Sequence, residues 1–501
     1  MTTETFADLV AAEDVLLFVN AAITATGQRE FHSEAYRQQL SLDFLHEYVR
    51  VNYRRVYAAS LALDINDHNA ARIVQGLLEH ACDATAEEKR TEGRLIAARL
   101  AMLPPQRVYR LFRGLRAAEV NNRRTRAIMR DWVAARPDPA HDAVKYRRGL
   151  KNAVRHAHLR LDDARDGSRH EGHDGVGSGG ELGDFLFRPG KLPRYRHQLL
   201  DAWRRAHYEQ GAVDGLPFTV AEGFAARHGM KREAFLDRMA PRMTRLERLR
   251  TQAQRGAASP QEPPAGVDPA VMPLTRLALY VLSFPPAVRG RHREELTSAL
   301  RAAARRAAGP HAGSWGRVAT VLDDSYSASG SGEKRRRPLA VALACAFLLE
   351  ALAAPGACIP LWTSGADDPL LVRPLGPTPL GMRVLDALEY GPDRLIIVSD
   401  GWDNAPCGLA GEVLRVWRTR IDPERRTSVV HVNPVYDADA FDVRRLSPGV
   451  PTAGVRDAED LPALVEIAQF SEGRTGPAEL HAYLDRQAAR FVAAGRAGGP
   501  L

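Results

Sequence analysis

Cysteine is scarce in this 501-residue chain, and its four copies (Cys82, Cys345, Cys358 and Cys407) stand far apart with no paired spacing. Neither a thiolate zinc site nor a disulfide framework follows from such a pattern, so the expectation is a reducing compartment, the cytoplasm. Long apolar runs are missing too. The longest, Leu339 to Leu349, is well short of the ~20 residues that a membrane-spanning helix needs. The first residues are acidic, with no basic stretch leading into an apolar one, so no secretory signal and no membrane contact are expected. With 45% hydrophobic and 26% charged residues the composition is that of a soluble folded protein rather than a disordered one. The length calls for two or three domains.

Signatures of common catalysts are absent as well. Gly-x-Ser-x-Gly follows no predicted strand, which argues against an α/β-hydrolase. The stretch Gly330-Ser331-Gly332-Glu333-Lys334 lacks the spacing of a phosphate-binding loop, so no nucleotide cofactor is expected. A haloacid-dehalogenase phosphatase needs a second aspartate two residues after its first, and Ser325 stands at that place after Asp323. His170 and His173 flank Glu171 without the His-Glu-x-x-His spacing that sets two imidazoles on one helix face. No catalytic dyad stands out. A non-enzymatic protein is the expectation, with a metal-dependent phosphatase as the remaining enzyme reading.

What the chain does have is clustered positive charge. The formal net charge is +8, and residues 101–160 hold 15 Lys/Arg against 4 Asp/Glu. A second basic stretch, 185–255, has 15 against 7, while residues 1–50 are acidic, 3 against 8. Solvated arginine-rich helix faces are the plain reading; an anionic partner is the functional one. Arg123, Arg124, Arg126 and Arg130 share one predicted helix, and Arg147, Arg148, Lys151 and Arg155 another. Facing one side, they would track phosphates with salt-dependent affinity. Tyr146, His156 and His158 are candidates to stack on unpaired bases, though Tyr146 also suits a core.

The period of the apolar residues changes along the chain. Residues 1–165 are predicted to be consecutive helices. Ser41 is the expected cap of one whose apolar face runs Phe44, Leu45, Tyr48, Val49 and Val56, and Thr85 to Glu88 has capping-box spacing. Pro105 is expected at the first position of the next helix, and Asn121-Asn122 opens another. Helical hairpins at roughly 35–45 residues suggest a HEAT-like solenoid. Residues 166–184 are expected to be a flexible glycine-rich loop, and 185–310 a second helical region with a linker at 256–269. From 314 onward, strands predicted at Val318 to Leu322, Cys358 to Trp362, Arg394 to Ser399 and Ser428 to Val432 alternate with helices at 337–353, 379–390, 408–420, 460–471 and 477–494. That alternation implies right-handed crossovers and a doubly wound parallel sheet, giving an α+α/β chain overall.

Chemistry concentrates where those strands end. Asp323, Ser325 and Ser327 follow the first strand, Thr378 lies in a later loop, and Asp400 follows the strand that begins at Arg394. Residues i, i+2 and i+4 of an extended loop point to one side, so the first three can face one ion together. Carboxylates and hydroxyls without His or Cys favour Mg²⁺ or Mn²⁺ over zinc. Two acids leave a coordination position that an acidic residue of a partner can fill. A Ser/Asp-rich turn is the plain alternative for Ser325 and Ser327 taken alone.

This Asp-x-Ser-x-Ser, Thr, Asp series resembles the metal-ion-dependent adhesion site of von Willebrand factor A (vWA) domains, a likeness that runs from position 314 to the end of the chain. It departs from that family at Asp324, where an apolar residue is common, and at Tyr326, where Gly is common; an extra acid there would alter metal affinity or take the open position. A helical, partly basic array before such a domain resembles the Ro autoantigen (TROVE) family. The stretch Tyr146 to Val154 and the segment Met239 to Arg250 are also loosely similar to helices of that family. The resemblance implies binding of structured or misfolded RNA through the basic helices, beside partner recognition at the vWA site. The alternative is an adaptor without RNA, working beside an AAA+ ATPase or a conflict-system enzyme.

Overall fold

The computed structural model describes residues 6–159, 180–244, 247–248, 251, 272–462, 464–465 and 477–497. By its internal contacts the chain divides into two units, Met1–Ala70 with Ala257–Arg490, and Ala71–Gly256 with Phe491–Leu501. The predicted boundaries shift accordingly: the segment up to Ala70 groups with the sheet, not with the helical array.

A parallel sheet forms the centre of the first unit. Its strands are β1 (Val318–Leu322), β2 (Cys358–Trp362), β3 (Arg394–Val398), β4 (Ser428–Asn433) and, after a small antiparallel pair β5 (Tyr436–Asp437) and β6 (Asp442–Val443), β7 (Thr452–Gly454). The order is β2-β1-β3-β4-β7. The chain steps outward from β1 to β2 and then returns to β3 on the other side of β1. Strand order therefore reverses between β1 and β3, the point at which open sheets of this kind bind ligands beyond the carboxyl ends of their strands.

Alternation along the strands supplies two apolar faces. Ala319, Val321, Leu395 and Ile397 pack with Leu380, Val384 and Leu388 of the helix Leu380–Glu389 and with Leu414 of the helix Leu409–Val416. The helix Arg337–Leu352 also touches β1 and β2, and the helices Leu274–Ser283 and Arg293–Ala308 pack on it in turn. Covered in this way, every residue from Leu339 to Leu349 is buried. The longest apolar run is thus a core helix, and no helix among the described residues is long and apolar enough to cross a membrane.

The N-terminal helices hold to the sheet edge through buried polar groups. Helix Phe6–Thr24 touches β6 and β7. Asn20 donates to Asp442 Oδ1 at 3.0 Å and accepts the Gly454 amide at 2.9 Å. A side chain at Gly454 would stand 2.8 Å from Thr24 Cγ2, so glycine permits this close approach. Ser41 is not a cap. It lies inside the helix Ala35–Asn52, its hydroxyl 2.9 Å from that of Tyr436. Phe44, expected on the apolar face, is exposed, and Leu42, Leu45 and Val49 carry the burial. Arg456 bridges to Asp64 at 3.1 Å.

The second unit is helical where described. Thr85 makes the expected capping box on Ala86–Met102, Pro105 opens Pro105–Ala117, and Asn122 caps Arg123–Ala134. Helices Pro105–Ala117 and Arg147–Ala157 pack together, and where they meet a side chain on Gly149 would stand 2.6 Å from Tyr109 Cβ. Residues 166–179 of the expected glycine-rich loop, with His170 and His173, lie outside the described residues, as does the linker 256–269. Residues 181–184, placed in that loop from sequence, instead start the helix Glu181–Phe187.

Asp460 gives the first unit a pH dependence. Burial and then a shared hydrogen bond with Asp64 push its carboxyl far above the ordinary range. The folded chain holds a proton there that the unfolded chain gives up near pH ~4, so this group's contribution to stability falls as pH rises above that point. Asp460→Asn keeps a donor toward Asp64 without a titrating proton. Its melting temperature is expected to gain on wild type as melts move from about pH 5 to about pH 9; a constant difference would show that no proton is shared.

Candidate metal centre

β1 and β3 leave the sheet side by side, with Leu322 and Val398 in register. The Asp323 amide continues the pairing by donating to the Val398 carbonyl at 3.0 Å. Asp323 and, two residues past Val398, Asp400 therefore emerge together at the point where strand order reverses. Both are buried, at 4% and 5% exposure.

The loop after β1 is not the simple extended stretch that alternation suggests. Ser325 is extended and its amide donates to Asp323 Oδ1 at 2.8 Å. Tyr326–Ser329 then forms a 3-10 turn. This turn brings the Ser325 and Ser327 hydroxyls to 3.2 Å. The Thr378 loop is fastened on both sides: the Tyr326 amide donates to the Gly376 carbonyl at 3.0 Å and the Leu375 amide to the Asp324 carbonyl at 2.9 Å. On the other side the Thr378 amide donates to Asn404 Oδ1 at 2.8 Å, and the Asn404 amide returns to the Thr378 carbonyl at 3.3 Å. Three loops carrying Asp323, Ser325, Ser327, Thr378 and Asp400 are thus knitted into one rim.

Burial, and next the charge of Asp400, raise the Asp323 carboxyl well above the usual carboxylate range. Among the described residues neither acid has a Lys or Arg partner. Asp400 Oδ1 takes the Trp402 amide at 3.0 Å, while His32 Nε2 faces its Oδ2 at 3.6 Å. Two buried carboxylates beside hydroxyls have no Lys or Arg partner among the described residues, and a hard divalent cation with oxygen ligands fits that set. No group of three or more His, Cys, Asp or Glu side chains among the described residues is arranged to hold an ion.

Asp324 does not serve as an extra acid at this rim. Its Oδ1 accepts from the Thr363 hydroxyl and the Ser364 amide, both at 2.8 Å, and its Oδ2 from the Ser364 hydroxyl at 2.6 Å. It clamps the loop after β2 instead. Sequence reading also missed three supports. His431 lies buried on β4, Nε2 3.0 Å from the Ser399 hydroxyl, and burial pushes its pKa down to about 4, so it is neutral. Gly401 has φ +82°, and a side chain there would meet the Arg444 carbonyl at 2.6 Å. Asn404 positions Thr378. Only Gly401, next to Asp400, carried a signal in the sequence.

The basic residues of the helical unit are divided. Arg124 pairs with buried Glu92 at 3.0 Å. Arg147 lies over Phe185 and Trp203 and donates to the Phe185 carbonyl at 2.7 Å. Lys151 and Arg155 sit over the Phe187 ring, at 5.5 and 5.3 Å. Arg130 pairs with Asp131 at 3.2 Å. Of the stacking candidates, Tyr146 packs on Tyr109 at 5.8 Å and His156 meets the Val120 carbonyl at 3.0 Å, whereas His158 is exposed. Arg124 and Arg147 are therefore committed to internal contacts. Arg123, Arg126 and Arg148 are exposed and make no ion pair among the described residues.

No protein-family model matches the chain, and no curated protein sequence matches it.

Removing one of the two buried acids relieves their repulsion. Asp323→Asn is expected to raise the melting temperature in EDTA, at about 1.5 °C per kcal/mol for a unit of roughly 300 residues. It is also expected to abolish the rise that Mg²⁺ or Mn²⁺ gives the wild type, which is ~2.7 kcal/mol at a hundredfold excess over Kd. A wild type whose melting ignores both ions would count against the site.

Proposed function

We propose that this chain is a non-enzymatic binding protein of the vWA type. Asp323, Ser325, Ser327, Thr378 and Asp400 would hold Mg²⁺ or Mn²⁺, and the ion would recruit an acidic residue of a protein partner. The observation that carries this reading is the meeting of three hydrogen-bonded loops at the strand-order reversal, with two buried carboxylates that lack a Lys or Arg partner among the described residues. The bound ion supplies a positive centre for an outside carboxylate. The chain's own part is to hold the donors in place: Asn404 fixes Thr378, Asp324 fixes the neighbouring loop, and Ser399 with neutral His431 supports the backbone beside Asp400. Capture of a partner in Mg²⁺ is expected to disappear both in EDTA and in Asp400→Ala. A partner retained in both would not be held by this site.

RNA binding by the helical unit, as a HEAT-like array of the Ro/TROVE kind, is the second reading. It is favoured by exposed Arg123, Arg126 and Arg148. Single-stranded RNA should then be retarded in gels, with affinity falling steeply between about 50 and 200 mM salt. Changing Arg123, Arg126 and Arg148 to Ala should flatten the salt slope by roughly 1 for each phosphate that is no longer neutralised. No retardation at low salt would leave the adaptor function alone.

A further inference from the structure

The segment between helices Phe6–Thr24 and Ala35–Asn52 lies at the rim of the candidate metal centre, and it is held there at several points. The Arg29 amide donates to Glu333 at 3.3 Å, and the Ser331 hydroxyl donates to the Arg29 carbonyl at 2.6 Å. Glu30, buried, pairs with half-buried Lys334. Phe31 meets Tyr326 edge-on, with ring centroids 5.8 Å apart. His32 packs on Trp402 at 4.7 Å, and its Nε2 stands 3.6 Å from Asp400 Oδ2. Residues 331–334 follow the Asp323 loop, and Trp402 follows Asp400. The segment is thus tied to both acid-bearing loops.

The distance from His32 to Asp400 is informative. At 3.6 Å it is too long for a hydrogen bond. Two donors bound at about 2.1 Å to one ion and adjacent in its shell lie roughly 3–3.6 Å apart. Asp323 and Asp400 already balance the charge of a divalent ion, so a neutral imidazole is the donor that completes the shell without adding charge. His32, Asp323 and Asp400 do not converge on one point as they stand. Ligation therefore needs the imidazole to turn from its place against Phe31 and Trp402, each 4.7 Å away between ring centroids.

We propose that His32 is a ligand of the cation at this site, filling in cis the position that a partner's carboxylate would take. The proposal rests on the metal reading above. It makes the donor set mixed, one nitrogen among oxygens, which favours borderline ions such as Ni²⁺ over Mg²⁺. It also means that an outside acid has to displace His32 before it can bind.

The test uses the full chain loaded with Mn²⁺ and read by pulsed EPR. Wild type is expected to show the ¹⁴N coupling of a directly bound imidazole, and His32→Gln to lose it while keeping its melting temperature, since Glu30 and Lys334 still anchor the segment. In titrations, His32→Gln is expected to weaken Ni²⁺ binding at least tenfold and Mg²⁺ less than about twofold. Absence of ¹⁴N coupling in wild type, or its persistence in His32→Gln, overturns the proposal if Asp400→Ala still abolishes Mn²⁺ binding. Should Asp323→Ala and Asp400→Ala both bind Mn²⁺ like wild type, the metal site itself fails, and the role of His32 with it.

Discussion

Parallel pairing of β1 with β3 is the constraint on which the rest of the site depends. Once Leu322 and Val398 share a register, the acids that follow have nowhere to go but together. Their charges repel in a buried place, and no Lys or Arg among the described residues pairs with either. A proton, an ion or a partner must offset them. The loops around them are correspondingly overdetermined, with amides, carbonyls and carboxamides tying three chain segments so that the acids stay close despite the repulsion.

The strands and the positions of Asp323, Ser325, Ser327, Thr378 and Asp400 at their ends were legible because they depend on local sequence. β-branched runs bounded by turns place four strands, and alternation with apolar helices implies a parallel sheet. The fifth strand, Thr452–Gly454, is too short to announce itself. Asp323, Ser325 and Ser327 lie together through hydrogen bonds, but the serines meet through a 3-10 turn and not in the extended geometry expected for them. Asp324 looked like a spare acid because its partners, Thr363 and Ser364, lie far along the chain on the loop after β2.

Long-range contacts were what the sequence concealed. Nothing local marks His32 as a neighbour of Asp400, or Asn20 as a support for Gly454. The segment up to Ala70 is helical, and helical periodicity alone grouped it with the next helices rather than with the sheet. Arginine clusters misled in the opposite direction. Their spacing suggested a common phosphate-tracking face, but Arg124 and Arg147 turn inward to Glu92 and to Phe185 and Trp203. Charge patterning counts side chains without knowing which of them are already bound.

The helix Arg337–Leu352 shows how far such a boundary can mislead. A fragment starting at residue 314 would contain every strand among the described residues, and Asp323, Ser325, Ser327, Thr378 and Asp400 with them. It would also strip the helices Leu274–Ser283 and Arg293–Ala308 from a helix that is apolar on all sides. The sheet is therefore not a separable module. A cut at that point would bare the face of this helix that those two helices cover, so the folded unit around the sheet begins no later than Leu274.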